Sequence, residues 1–445
     1  MAASYLIKEV KLVNRGLTQE VDVLIKDGRI QKIGQGLQTD HAVEEVAGEG
    51  RFLMPGVVDD QVHFREPGLT HKANIATESR AAVAGGTTTF MEMPNTVPNA
   101  LTVDLLEDKY AIAARTSLGN YSFFMGASNQ NLAEVLKVDY RHVCGIKAFL
   151  GSSTGNMLID NEAAIERLFA EAPALIAIHA EDEGTVKAFE AQWADVPEDQ
   201  LPPDIHPRIR PVEACYRSSS QAVERAKRLG TRLHVLHITT AAETQLFEPG
   251  DFRQHPKRIT SEVCVHHLSF TDKDYPRLGD KIKCNPAIKT QTDQDALWQA
   301  LKEGRIDVMA TDHAPHTAEE KAQGYRKAPA GLPLVQHALM IGLRWVRQGR
   351  LSLPELVDYM CHKPASLFDV EGRGYADEGA WADLVLLDER QLTVSKENIF
   401  HKVGWSPFEG ETFDWMPGTV WVSGHKAYQQ GTFFERPGMR LTFAR

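Results

Sequence analysis

Short apolar runs that stop at a polar residue recur through the middle of the chain. They lie at Val57-Val58, Thr87–Met93, Tyr121–Met125, Val143–Leu150, Ala174–His179, Leu233–His237, Ile259–Val265 and Ile306–Asp312, eight in all. Between them, stretches such as Ile75–Ala84, Val103–Ala114, Glu162–Ala170, Glu213–Leu229 and Asp293–Lys302 carry helix formers at amphipathic spacing. Eight strands alternating with helices predict an α/β fold, a TIM-like (β/α)8 barrel. The alternative, a doubly wound open sheet, normally begins with a glycine-rich nucleotide turn, and no G-x-G-x-x-G follows a strand here. Residues 194–212 are proline-rich and poorly periodic and read as a long surface loop.

The two ends of the chain have a different texture. Tyr5–Ile7, Val10–Val13 and Val21–Lys26 cluster β-formers, and Asp27-Gly28 is a hairpin signal before Arg29–Gly34. Ala382–Leu387, Thr419–Gly424 and Gly431–Phe434 read the same way. Chain termini often lie close together, so the two β segments predict one small β-sandwich built from residues 1–54 and 376–445 around a barrel of 55–375.

Composition narrows the setting. Apolar residues make up 42%, ample for a large core, and the net charge of −11 is spread along the chain. Acidic residues outnumber basic ones, 60 against 49, so no nucleic-acid footprint is expected. Five scattered cysteines without a C-x-x-C pair read as reduced thiols of a cytoplasmic protein. The start lacks a charged region followed by a long apolar one, and no uncharged apolar run approaches the ~20 residues of a membrane helix.

The chemistry gathers where the runs end. In a (β/α)8 enzyme the working residues sit at the C-terminal ends of the strands, which here carry His63, Lys147, His179, His237 and Asp312. A single histidine at such a place is more often a hydrogen-bonded structural residue. Three of them, with an aspartate and a lysine at equivalent ends, suit a divalent transition metal such as zinc. Lys147 interrupts an apolar strand, where dehydration lowers an ammonium's pKa from ~10.4. It either snorkels its head to the surface or is a neutral amine that captures CO₂ as a metal-bridging carbamate. In the first run, residues two apart share a face, so Gln61, His63 and Arg65 point the same way.

Leu53–Gly68 resembles the first barrel strand of the amidohydrolase superfamily, and Arg65-Glu-Pro-Gly68 narrows the resemblance to the dihydroorotases. Gly145–Leu150 is similar to that family's carboxylated-lysine strand. Arg210-Pro-x-Glu-Ala, His234–Ala241, Ser261–Leu268, Lys283–Pro286, Thr311–His316 and Ala328–Gly331 follow in order, so the likeness runs from about residue 5 to 431. It implies reversible, metal-dependent hydrolysis of the cyclic amide of dihydroorotate to N-carbamoyl-aspartate, a step of pyrimidine biosynthesis. The cofactors implied are one or two zinc ions, or other divalent metals, and a carboxylated Lys147. His63, Lys147, His179, His237 and Asp312 become metal ligands, with Asp312 also the catalytic base. Arg65, Asn95 and His316 take the substrate carboxylate, and Asn285 reads the ring amide. The charged segment Thr317–Lys327 reads either as a lid or as an ordinary solvated loop.

Two positions depart from the pattern. The family has His-x-His where this chain has Gln61-Val-His63, so Gln61 is a weak or absent ligand; an amide oxygen is a harder and weaker zinc donor than imidazole. Leu334-Val-Gln336 stands where Gly-x-Glu is usual. A hydantoinase or allantoinase, and a non-catalytic relative that partners aspartate carbamoyltransferase, are the alternative readings. Oligomeric state is left open, with a homodimer as one reading. No membrane partner is expected.

Overall fold

A computed structural model describes residues 4–40, 42–151 and 157–445; residues 1–3 of the start lie outside them. Each of the eight apolar runs is a strand. In order these are Val57–Val62, Thr87–Glu92, Asn120–Phe123 continued by Met125–Gly126, Ile146–Phe149, Ile176–His179, Leu233–Val235, Ile259–Cys264 and Val308–Ala310. All are parallel to their neighbours; with the two pieces of the third strand counted separately, three segments pair in one sheet and six in another. The third strand is broken at Phe124, whose amide still bonds Glu92 O at 3.0 Å, as a continuous ladder would. The circle closes where Val62 bridges His313. The fold is a (β/α)8 barrel with a β-sandwich.

The expected helices form where the periodicity put them, at Ile75–Ala84, Val103–Thr116, Glu162–Glu171, Val212–Leu229 and Gln291–Glu303. Side-chain caps start four of these, including Asn74 on Thr77 N and Thr290 on Asp293 N. The proline-rich segment is less open than its composition suggested. Ile205–Ile209 is a short helix, and Ile205 and Ile209 pack against Val186 and Ala214.

Both chain ends contribute to one nine-stranded sheet. The joint is Phe52–Pro55 against Leu384–Thr393, antiparallel, with Leu53 opposite Leu386 and Pro55 opposite Leu384. Strand alternation then gives the sheet two duties. Leu53, Leu384 and Leu386 pack with Tyr5, Ile7 and Trp421, while Met54, Val385 and Leu387 face the barrel core. Asp27 and Gly28 both have positive φ, 53° and 81°, as the tight hairpin signalled by their sequence requires. The last residues leave this sheet: Arg440 bridges Tyr121, Phe443 bridges Val370, and the Arg445 guanidinium caps Cys144 O and Phe368 O at 2.8 Å each. Among the described residues no helix is long and apolar enough to cross a membrane, and all five cysteines are buried free thiols.

Barrel and sheet are also joined by charge. Buried Arg373 donates to Asp383 at 2.5 Å, and the other oxygen of Asp383 accepts from Asn120 of the third barrel strand and from Ser423 N. Arg373→Met strands a carboxylate in the interior. It should lower stability by about 3–5 kcal/mol, read as a fall in the urea midpoint, whereas replacing the exposed Arg141 should leave the midpoint unchanged.

Candidate active site

Asp312, just past the eighth strand, is the meeting point of the first. Its Oδ1 accepts from Gln61 Nε2 and lies beside His63 Nε2, both at 3.1 Å. Gln61 and His63 therefore share a face, as the two-residue repeat predicted. The amide of Gln61 is turned with its nitrogen on Asp312 and its oxygen 3.8 Å from Cys264 Sγ. His63 Nδ1 faces Asn95 Oδ1 at 2.8 Å, so Asn95 orients that imidazole. Burial lowers the His63 pKa despite Asp312, which keeps a ring lone pair available.

Strands four, five and six supply the other donors. His179 Nδ1 and His237 Nε2 stand 3.0 Å apart. The far nitrogen of His179 meets Glu181 Oε2 at 3.0 Å, and Arg210 Nη1 donates to the same oxygen at 2.6 Å. Burial raises the Glu181 pKa, but Arg210 and His179 outweigh it and hold the carboxyl near 2. Glu181 and Arg210 were not anticipated as site residues; the signal was His179-Ala-Glu181, whose two-residue spacing puts both on one face. Lys147 is fully buried, its Nζ without a hydrogen-bond partner and 4.6 Å above the Phe149 ring. Desolvation lowers its pKa to about 7, against the pull of Asp312 and Glu262. The lysine therefore does not snorkel. Two converging imidazoles, a carboxylate and an orphaned, readily neutralised amine form a donor set that fits a divalent transition metal.

A cationic cluster borders these groups. Arg65 is buried and donates through Nε to Pro315 O at 3.1 Å, with Nη2 3.0 Å from His316 Nε2. Desolvation lowers its pKa to about 10. Lys72 Nζ lies 3.0 Å from His316 Nδ1 and 3.2 Å from Glu320. Gly331, at φ 143°, lies under His316: a Cβ there would meet Ala314 O at 2.4 Å and His316 Cδ2 at 3.0 Å, so no larger residue fits. Asn285 lies further out and lines a cavity of about 550 Å³ with His206, Arg210, Lys283, Tyr325 and Ala330. His206 Nε2 is 3.1 Å from Asn285 Oδ1. Thr317–Lys327 is anchored here, with Lys321 Nζ buried among the carbonyls of Lys283, Pro329 and Gly331.

Two further features of the sequence, His267 and the departure at Leu334-Val-Gln336, gain a role in the structure. His267 Nε2 donates to Pro286 O at 3.0 Å, bracing the turn that carries Asn285. The Leu334 and Val335 amides donate to His313 Nδ1, and Gln336 binds Asn398 O and Phe400 N, so this departure tethers the 394–411 excursion of the sheet to the barrel. That excursion reaches the site: Trp405 Nε1 donates to His316 O at 2.8 Å. Arg65, His237 and Asp312 hold positive φ values of 69°, 41° and 48°. Seven other described non-glycine residues share this conformation, but these three stand at the strand ends of the barrel, where such strain is a mark of function.

The Amidohydrolase family profile matches residues 52–427. A Methanosarcina acetivorans protein named dihydroorotase is 33% identical over 91% of this chain and 88% of its own. A Bacillus velezensis protein named allantoinase is 29% identical over 97% of this chain and 95% of its own. Among solved structures, an L-hydantoinase (dihydropyrimidinase) from Arthrobacter aurescens superposes with a TM-score of 0.93 at 27% identity, covering 99% of this chain and all of its own.

Lys147 gives a test in the metal-free protein. Between pH 7 and about 10.5 the unfolded chain holds a proton on this lysine that the native state has lost, so stability rises with pH across that window. Lys147→Met should therefore be more stable than the parent at pH 6–7, with the advantage shrinking as pH climbs toward 10.5 in denaturant titrations. A constant difference would mean an ordinary lysine.

Proposed function

The chain belongs to the amidohydrolase family and is a cyclic amidohydrolase, and from that premise we propose that its substrate is dihydroorotate, hydrolysed reversibly to N-carbamoyl-aspartate. The observation that carries this reading is Arg65. Among the described residues no carboxylate pairs with it, although it is buried beside the catalytic groups. An uncompensated buried charge is costly, and a guanidinium fork is matched by a substrate carboxylate. His316 argues the same way. The Lys72 ammonium can only donate, so His316 Nδ1 accepts and its Nε2 carries hydrogen, 3.0 Å from both Ala330 O and Arg65 Nη2. His316 Nε2 gives its hydrogen to Ala330 O, so Arg65 Nη2 beside it meets no acceptor on that ring and is left for an anion. Dihydroorotate carries a carboxylate; hydantoin and allantoin carry none. That separates this reading from the hydantoinase and allantoinase one, which the overall likeness to those proteins keeps in view.

On this reading the catalytic unit is 55–375, with 1–54 and 376–445 as the supporting sandwich. His63, Lys147, His179, His237 and Asp312 would hold one or two divalent ions, zinc being the best match, with Lys147 carboxylated. Bound there, such an ion would polarise the scissile carbonyl and acidify water. The protein's own groups do the remainder. Asp312 takes the proton of the attacking water and returns it to the departing amide nitrogen, its Oδ1 held by His63 and Gln61. Arg65 and His316 fix the ring through its carboxylate, and Asn285 accepts or donates at the ring amide, which is the positional control that a site of this kind needs. Glu181 and Asn95 keep His179 and His63 in one orientation each.

Assays on dihydroorotate, hydantoin and allantoin with the same metal-analysed sample should give preferred turnover of dihydroorotate. Arg65→Met should lower kcat/KM on dihydroorotate by roughly tenfold to a hundredfold, the worth of a charge-assisted pair of about 1.5–3 kcal/mol, with metal content unchanged. Equal rates for parent and variant would remove the carboxylate clamp from the reading.

Gln61 would leave a metal ion held by His63 one imidazole short. Chelator competition should find one tight ion and one at least 10–100-fold weaker, the range that even indirect changes of ligand support produce, and Gln61→His should bring the two together. Two equally tight ions in the parent would show that the missing imidazole is fully replaced.

A further inference from the structure

One layer down the barrel from the strand ends, toward the start of the strands, lies a second cluster of donors that the proposed chemistry does not use. Asp60 of the first strand, His234 of the sixth and Glu262 of the seventh converge across the interior, each with no solvent exposure. Their donor atoms lie within 4.8 Å of one another. His234 Nε2 is 3.5 Å from Asp60 Oδ2 and 3.7 Å from Glu262 Oε2. These are long for hydrogen bonds, which center near 2.9 Å. They lie close to the spacing of ligands around one ion, since donors bound at about 2.0–2.2 Å stand roughly 3–3.6 Å apart.

Both oxygens of Asp60, the Oε2 of Glu262 and the Nε2 of His234 are buried with no hydrogen-bond partner. The other half of each side chain is committed. Glu262 Oε1 accepts from His237 N at 3.1 Å and lies 3.4 Å from Cys264 Sγ. His234 Nδ1 meets Thr260 Oγ1 at 2.9 Å, and that hydroxyl points its own hydrogen toward Leu233 O. The Thr260 oxygen is then an acceptor and Nδ1 carries a hydrogen, while the two carboxylates facing Nε2 raise its affinity for a positive charge, a proton or a metal ion. Such an arrangement repels itself unless something positive sits at its center.

We propose that Asp60, His234 and Glu262 bind a divalent transition-metal ion, of the Zn²⁺ or Mn²⁺ type, in the barrel interior, separate from the strand-end donors. A doubly charged ion neutralises the two carboxylates and gives the imidazole lone pair its partner. One imidazole with two carboxylates suits ions of this class. Thr260 plays the part of the outer hydrogen-bond partner that orients a ligating histidine. The ion ties the first strand to the sixth and seventh and, through Glu262, steadies the backbone of His237. Its role is structural, and it does not depend on which cyclic amide the enzyme hydrolyses.

The test is crystallographic. Protein stripped with a chelator and soaked in millimolar Mn²⁺ or Zn²⁺ should give an anomalous difference peak between Asp60, His234 and Glu262. A water there, or no density with His234 protonated between the acids, overturns the proposal, and this result needs no variant. In solution, Asp60→Asn and Glu262→Gln should each remove one equivalent of bound metal per chain and abolish part of the metal-dependent rise in Tm. Lys147→Ala should leave that equivalent in place. Loss of every bound equivalent in Lys147→Ala would also overturn it. An interior peak with none at the strand ends would instead sink the catalytic reading and leave this one standing.

Discussion

Closure of the barrel between its first and eighth strands is the constraint on which the site depends. Val62 bridges His313, and His63 N donates to His313 O at 2.7 Å. Those contacts bring His63 onto Asp312 across 249 residues of sequence, and they set Arg65 against Pro315 and His316. His313 is itself fixed from three directions. Its Nδ1 accepts from the Leu334 and Val335 amides, its Nε2 meets Glu78 Oε2 at 2.7 Å, and Glu78 also takes Lys402 N from the sheet's excursion. A helix, a post-strand loop and the second structural unit thus converge on one imidazole that touches no substrate on the proposed reading.

The interior above and around this closure is polar for a barrel core. Lys147 and Arg65 have their charged forms disfavoured by burial, and burial, aided by neighbouring Asp60 and against the hydrogen bond from Thr311, pushes the Asp59 pKa up to about 8. A sequence selected for stability alone would fill these positions with branched aliphatics. Desolvated ionisable groups and positive φ at Arg65, His237 and Asp312 are local violations of the rules that the rest of the chain obeys, and they coincide with the site.

Much of this was legible in the sequence. The eight strands and five helices followed from periodicity, because each element's pattern is local. Gln61, His63 and Arg65 could be put on one face because a strand repeats every two residues. What escaped were contacts that no local pattern encodes. Arg210 reaches Glu181 from another element 29 residues away, and Trp405 reaches His316 from the sheet, 89 residues on. The return of residues 439–445 to the barrel was equally hidden, since Tyr121 and Arg440 are neighbours only in space. Asn95 was expected at the substrate carboxylate, and its hold on His63 emerges only once the first and second strands lie side by side.

The pairing of Phe52–Pro55 with Leu384–Thr393 also has a consequence in time. A ribosome adds about 5–20 residues per second, so on the order of half a minute separates the emergence of these two strands. Throughout that interval the amino-terminal strands present an unpaired edge and an apolar face whose cover, Trp421 included, has yet to be made. Open edges of this kind invite adventitious strand pairing. The nascent chain must therefore either be shielded or rely on the charged edge residues, such as Glu44 and Glu45, to repel its neighbours until the last seventh of the protein arrives.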